Sequence, residues 1–185
     1  MPQTKHSASL VYEQSYITDP AYPYWLIYRN NSFDSVANKM TFDIFKVYRD
    51  RLITKAITKP NGKFRVLKSR NIGNNEIVDI EGYDSYIDDI NSLDVSKFLN
   101  QENCVLVPNL TYNPRACMLP TGCIADGSVA ILTLKNANTK VSTEDLAFYA
   151  TSQFNEFYAI ARNRGTRSLN IDNNSVFFFG KLKHA

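Results

Sequence analysis

Phe45-Lys46-Val47-Tyr48-Arg49-Asp50-Arg51-Leu52-Ile53-Thr54, echoed by Phe64-Arg65-Val66-Leu67-Lys68-Ser69-Arg70-Asn71-Ile72, is the stretch on which the reading of this chain turns. Phe45 and Val47 alternate with Lys46 and Tyr48, and Phe64 and Val66 with Arg65 and Leu67, which is the two-residue period of strands that bury one face. The link Lys59-Pro60-Asn61-Gly62-Lys63 has turn chemistry, so the segments are expected to form a hairpin or lie as neighbouring strands. Arg49, Arg51, Arg65 and Arg70 would then gather toward one end of a basic ribbon. Such a ribbon suits a polyanion; the plainer alternative is a solvated charged face.

Charge along the chain sharpens the question. From Arg29 to Asn75 there are eleven Lys and Arg against three Asp, a net of +8, and from Glu76 to Glu102 eight acids against Lys97 alone, a net of −7. The total of +3 hides this contrast. A basic block beside an acidic one predicts a polarised surface, one side suited to phosphates and the other facing away or toward a basic partner.

The 185 residues, 44% hydrophobic and 21% charged, fit one globular domain with or without a tail. No apolar run approaches a bilayer span, and Met1-Pro2-Gln3-Thr4-Lys5-His6 leads into polar residues, so the expectation is a cytoplasmic protein with no membrane partner. Cys104, Cys117 and Cys123 form no Cys-x-x-Cys pair, and the two histidines, His6 and His184, sit at the two ends; this reads as three reduced thiols rather than a metal set.

Taken in order, residues 1–23 are polar, lack a clear period and read as an extended arm or linker; residues 24–185 read as one α+β domain. Tyr24–Arg29 is a strand candidate, Ser32 caps a short helix through Met40, and Ile77–Ile80 is a short strand. Ser92–Leu99 allows one or two helical turns. Cys104–Val107 is apolar enough for a central strand ended by Pro108, and Ser128–Leu134 is a further strand. Ser142 caps a long helix from Thr143 to Asn163, with Asp145 in its first turn and Leu146, Ala150, Phe154, Phe157, Tyr158 and Ala161 on its buried stripe. Val176–Phe179 reads as a last strand. The predicted fold is therefore short mixed strands and hairpins with one long C-terminal helix.

Catalytic constellations are mostly missing from the sequence. The Gly122 to Gly127 segment has phosphate-loop spacing without its lysine, and no Gly-x-Gly cradle for a dinucleotide or S-adenosylmethionine occurs. None of the twelve lysines has a carboxylate two residues before it, the pattern of a common metal-dependent nuclease. Asp84, Asp88 and Asp89 offer oxygens to a divalent cation, but a solvated face accounts for them as well. A binding role gains by elimination.

The Val47–Thr54 and Phe64–Ile72 series, together with Val105-Leu106-Val107-Pro108-Asn109-Leu110-Thr111, resembles the C-terminal target-recognition region of adenine-specific DNA methyltransferases from restriction-modification systems. More distantly, it is similar to the recognition domains of type I specificity subunits. Ala150–Tyr158 and Ser168-Leu169-Asn170-Ile171 resemble the closing helix and strand of those regions, so the likeness runs from about Tyr24 to Leu182. It implies double-stranded DNA as partner, together with a methyltransferase catalytic domain in cis or trans. The catalytic motif of that family, Asn/Asp-Pro-Pro-aromatic, has its nearest counterpart in Asn113-Pro114-Arg115-Ala116, which lacks the second proline and the ring that stacks a flipped base. The chain is therefore expected not to methylate DNA alone and to hold no cofactor, S-adenosylmethionine belonging to the missing catalytic domain.

On this reading Lys46, Lys55, Lys63 and Lys68 contact phosphates, Arg49, Arg51, Arg65 and Arg70 pair with guanine edges, and Asn71, Asn109 or Asn113 pair with an adenine edge. Tyr112 and Arg115 face DNA or the catalytic domain. The structural alternatives are an ion pair of Arg49 and Arg51 with Asp50, and an Asn109 side chain that bonds its own turn. A rival function is a protein-interaction module that docks a methyltransferase or other partner through the acidic segment or the aromatic N-terminal arm.

Overall fold

Cys104-Val105-Leu106-Val107-Pro108 has no exposed residue, as expected of an apolar run that forms a strand covered on both faces. The computed structural model describes residues 12–110, 113–165 and 170–183. In chain order come helices α1 (Gln14–Ile17) and α2 (Asn31–Ala37), then strands β1 (Met40–Thr41), β2 (Phe45–Tyr48), β3 (Phe64–Leu67) and β4 (Ser85–Ile87). Strands β5 (Cys104–Pro108), β6 (Cys117–Met118), β7 (Cys123–Ala125) and β8 (Val129–Leu134) follow, then helices α3 (Thr143–Tyr149) and α4 (Ser152–Ala161) and strand β9 (Lys181–Leu182). Single 3-10 segments lie at Ser69–Asn71, Asp94–Phe98 and Ser175–Phe178. The fold is α+β, as the sequence predicts.

The central sheet runs β2-β8-β5-β6, all antiparallel. Alternation along its strands feeds two cores. Phe45, Val105, Val107, Ala130 and Leu132 meet Phe33 and Val36 of α2, Phe154 and Phe157 of α4, and Phe178 and Phe179. Cys104, Leu106, Val129 and Ile131 face the other way, against Val66, Leu67, Ile124, Val95 and Phe98. The second core is closed by a three-stranded sheet, β4-β3-β7, in which β3 is antiparallel to β4 and parallel to β7. The result is three layers: helices, central sheet, small sheet.

This layering overturns the expected hairpin. Phe45 packs in the helical core, whereas Phe64 and Val66 pack in the second core, so the two segments do not present their apolar faces to the same side. Strand β2 pairs with β8, and β3 pairs with β4 and β7. The charged tails of both segments leave the sheets: Arg49 and Asp50 follow β2 as irregular chain, and Ser69–Asn71 forms the 3-10 turn.

The long C-terminal helix is two helices. Thr151 breaks it, its Oγ1 donating to the Phe148 carbonyl and accepting from the Phe154 N–H, so α4 starts afresh with its own cap. The break lets Tyr149, fully buried, donate its phenol to the Gly180 carbonyl. Val176–Phe179 is mostly 3-10 rather than strand, a geometry that turns consecutive rings onto different neighbours: Phe177 meets Phe42, Phe178 meets Tyr24, and Phe179 meets Tyr149. Ile77–Ile80 contributes only one bridge, between Ile72 and Ile77. The cap of α2 is Asn30, not Ser32.

Tyr24–Arg29 is no strand, because Asn163 takes its backbone groups. The Asn163 amide donates to the Trp25 carbonyl at 2.9 Å and accepts from the Ile27 N–H at 2.8 Å. Arg29 then closes this end of the molecule, bonding Asp19 at 2.8 Å, Asp34 at 2.9 Å and the Tyr16 carbonyl at 2.9 Å while lying over the Tyr16 and Tyr22 rings. Within the segment expected to be an extended arm, α1 and Tyr22 are thereby held on the helical layer. No described helix is long and apolar enough to cross a membrane.

Two outcomes test this packing. Asp145 is buried, completes a capping box with Ser142 and accepts from the Leu182 N–H at 2.7 Å. Asp145→Ala is expected to cost about 2–3 kcal/mol and to lower the melting midpoint by roughly 4–12 °C, with Asp145→Asn losing less. Burial raises the Cys104 thiol to about 11 and the Cys117 thiol to about 12. Alkylation of the native protein at pH 8, followed by peptide mass analysis, is therefore expected to modify half-buried Cys123 before either of them.

Candidate nucleic-acid interface

Between Arg51 and Asn75 the sequence holds seven cations and no acid, so every neutralising carboxylate must come from elsewhere in the fold. The acidic segment supplies several. Arg65, carried on β3, reaches Asp79 at 2.6 Å and Asp84 at 2.7 Å, and Lys59 pairs with Asp88. The Lys59 ammonium, with the Lys63 backbone N–H, holds the Asp88 carboxyl below the usual carboxylate range. The two charged blocks therefore meet instead of facing opposite ways, and the expected polarised surface is largely cancelled where they touch.

The buried asparagines complete this scaffold. Asn71 is fully buried; its Oδ1 accepts from the Lys68 N–H at 3.0 Å, and its Nδ2 donates to the Val78 carbonyl and to Asp84 Oδ1 at 2.6 Å. Asn109 donates to Asn170 Oδ1 and accepts from the Ile171 N–H, both at 3.0 Å, holding the end of β5 against the last segment of the chain. Arg115 donates to the carbonyls of Ile72 and Ser69 at 2.5 and 3.2 Å. These three, expected at base edges or a partner surface, are framework residues. Asn113 accepts from the Asn155 amide at 3.3 Å, and Tyr112 lies outside the described residues.

What stays at the surface is a narrower set. Lys46, Arg51, Lys55, Lys63 and Arg70 are exposed, and Arg49 is half-buried, lining with Arg51 a cleft of about 290 Å³ beside Asp172 and Asn173. Lys68 donates to the Tyr83 carbonyl, and its ammonium lies 4.0 Å from the Tyr83 ring centre, where the Arg70 guanidinium also sits at 4.8 Å. Tyr83 was not singled out from sequence; a tyrosine inside an acidic stretch gives no sign that cations will stack on it.

Lys55 and Lys68 line two adjoining grooves of about 920 and 410 Å³ between the 51–60 loop and the 79–86 turn. The larger has Lys55, Lys59, Arg65 and Lys68 on its walls but also Asp79, Glu81 and Asp84. Its near balance of charge makes the rim, not the groove, the place for a polyanion.

That rim is built on the loop after β2. Asp50, the ion-pair partner in the structural alternative, accepts from the N–H groups of Leu52 and Ile53 at 2.8 and 2.6 Å. This frees both flanking arginines from it. A Cβ on Gly127 would stand 2.5 Å from the Asp50 carbonyl oxygen, so only glycine lets the turn before β8 lie against the root of the loop. Downstream, Lys59 and Tyr86 exchange backbone hydrogen bonds at 2.9 and 2.8 Å. Between these two clamps the side chain of Ile53 packs on the second core. Among the described residues no group of His, Cys, Asp and Glu is arranged to hold a metal ion, and Asp84 and Asp88 are committed to Arg65, Asn71 and Lys59.

Asn71→Ala and Asn109→Ala are expected to destabilise the fold by about 2–3 kcal/mol each through orphaned buried partners, read by urea denaturation. Arg51→Ala and Lys55→Ala are expected to leave stability within about 0.5 kcal/mol of the parent. No protein-family model matches this chain, and no curated protein matches it in sequence.

Proposed function

We propose that this chain binds double-stranded DNA sequence-specifically, as the target-recognition part of an adenine-specific methyltransferase of a restriction-modification system whose catalytic domain is supplied in cis or in trans. The observation that carries the reading is the exposed set Arg51, Lys55, Lys63 and Arg70 within a stretch that contains no acid, the first two on the clamped loop after β2 and the others on either side of β3. Cations on a rigid support lose little freedom on meeting phosphates and give both steering and register. The resemblance of the 47–54, 64–72 and 105–111 series to target-recognition regions is in keeping with this assignment, and it rests on those residues alone. Lys46, Lys55 and Lys63 are the phosphate contacts on this view, and Arg51 and Arg70, with half-buried Arg49, are the base readers. The framework role of Asn71 and Asn109 removes them from the readout.

A docking role has one specific observation behind it. Trp25, Ile27 and Tyr28 are 65, 60 and 50% exposed, on backbone pinned by Asn163. Of the eight acids in the acidic segment, Asp79, Asp84 and Asp88 are paired within the chain.

The test is selection from a random duplex pool by the purified chain at low and moderate salt. Enrichment of a defined motif is expected, with log affinity falling against log salt at a slope of about −0.9 per neutralised phosphate. Lys55→Ala and Lys63→Ala should each flatten that slope by about one unit, whereas Arg51→Ala should relax preference at one position. Failure to bind any duplex at low salt overturns the proposal and turns attention to the Trp25–Tyr28 surface, whose partner binding would hardly respond to salt.

A further inference from the structure

Leu52 and Ile57 are 54 and 43% exposed on the same clamped loop. Neither joins the second core, on which Ile53 of the same loop packs. Leu52 sits next to Arg51, and Ile57 closes a turn through its N–H to the Thr54 carbonyl at 3.2 Å, with Lys55 inside that turn. The loop therefore offers two apolar side chains interleaved with two cations, on a base fixed by the Asp50 hydrogen bonds and by the Lys59–Tyr86 bridge. Isolated exposed leucines are ordinary. Two on one braced loop, with Arg51 before them, Lys55 between them and no carboxylate from Arg51 to Asn75 in the chain, are matched to a surface that is both anionic and able to accept apolar groups.

A DNA base step entered from the minor groove is such a surface. Its phosphates take the cations, its narrowed floor attracts arginine, and its stacked bases part around an aliphatic side chain when the duplex bends away. Resting on the DNA-binding reading above, we infer that Leu52 and Ile57 act as a wedge: they enter a base step from the minor groove while Lys55 holds the flanking phosphates and Arg51 reads the groove floor beside them, and the duplex kinks. Pyrimidine–purine steps, which unstack most easily, are the preferred point of entry. The rigid base is what makes insertion effective, because a loosely held loop would yield before the stack does.

The probe is a mixed-sequence duplex of about 30 base pairs with a central TA step, carrying 2-aminopurine beside that step and a donor–acceptor dye pair at its ends. At low salt the full chain is expected to raise the 2-aminopurine emission severalfold and to shorten the end-to-end distance. The Leu52→Ala/Ile57→Ala double variant should bind within about threefold of the parent yet lose both signals at saturation. Arg51→Ala/Lys55→Ala should bind more weakly but keep both signals once saturated. Circular dichroism of each variant controls for folding, and both pairs lie on the surface. Binding by the parent with no emission change or shortening, or retention of both signals by the Leu52/Ile57 variant, overturns the wedge and leaves DNA binding standing. Absence of binding to this and all other duplexes overturns both.

Discussion

Burial of both faces of the central sheet is the constraint from which the rest of the molecule follows. Strand β5 exposes nothing and β8 little, so water must be excluded on two sides, and two different covers do it. The helical cover draws on both ends of the described chain, α2 near the start and α4 with the 175–178 turn near the finish. The small-sheet cover is built from the middle of the chain. Each apolar side chain on the alternating strands contributes on the order of 1.5–3 kcal/mol of transfer free energy, so a slip of register by one residue would exchange the two cores and is strongly opposed.

The electrostatic outcome is subordinate to that packing. The acidic segment is carried to the basic one because β4 pairs with β3, which sets Asp84 and Asp88 close to Arg65 and Lys59. Charges far apart in the count along the chain are thus neighbours in space, and the surface field is set by whichever cations the sheet pairing leaves over. Apart from Lys46 on β2, the exposed cations Arg51, Lys55, Lys63 and Arg70 lie where the backbone departs from the sheets, between β2 and β3 and after β3.

This explains what could be read from the residues and what could not. The α+β class, the buried strands at Cys104–Val107 and Ser128–Leu134 and the cap at Ser142 follow from local pattern: period, cap chemistry and unbroken apolar runs. The pairing of Phe45–Tyr48 with Phe64–Leu67 failed because a period of two says that a strand has an inner face but not which core that face serves. The helix break at Thr151 was hidden because its apolar stripe continues through the break, while the deciding contact, Tyr149 to the Gly180 carbonyl, is remote in sequence. Of the candidate site, the exposed cations were legible from residue type alone. The framework roles of Asn71, Asn109 and Arg115 were not, since an asparagine or arginine that bonds distant backbone looks the same in sequence as one that reads a base.

The sheet that separates the two cores also uncouples them. Side chains on its two faces serve different cores, so changes among the helical-core residues and changes around Ile53 should combine nearly independently in their effect on stability, the cleft where Arg49 and Arg51 meet Ile171 and Asp172 apart. The layer that carries the basic rim can accumulate substitutions without renegotiating the aromatic packing of Phe33, Phe157 and Phe178 across the wall. A molecule partitioned in this way is free to vary what it contacts while conserving how it folds.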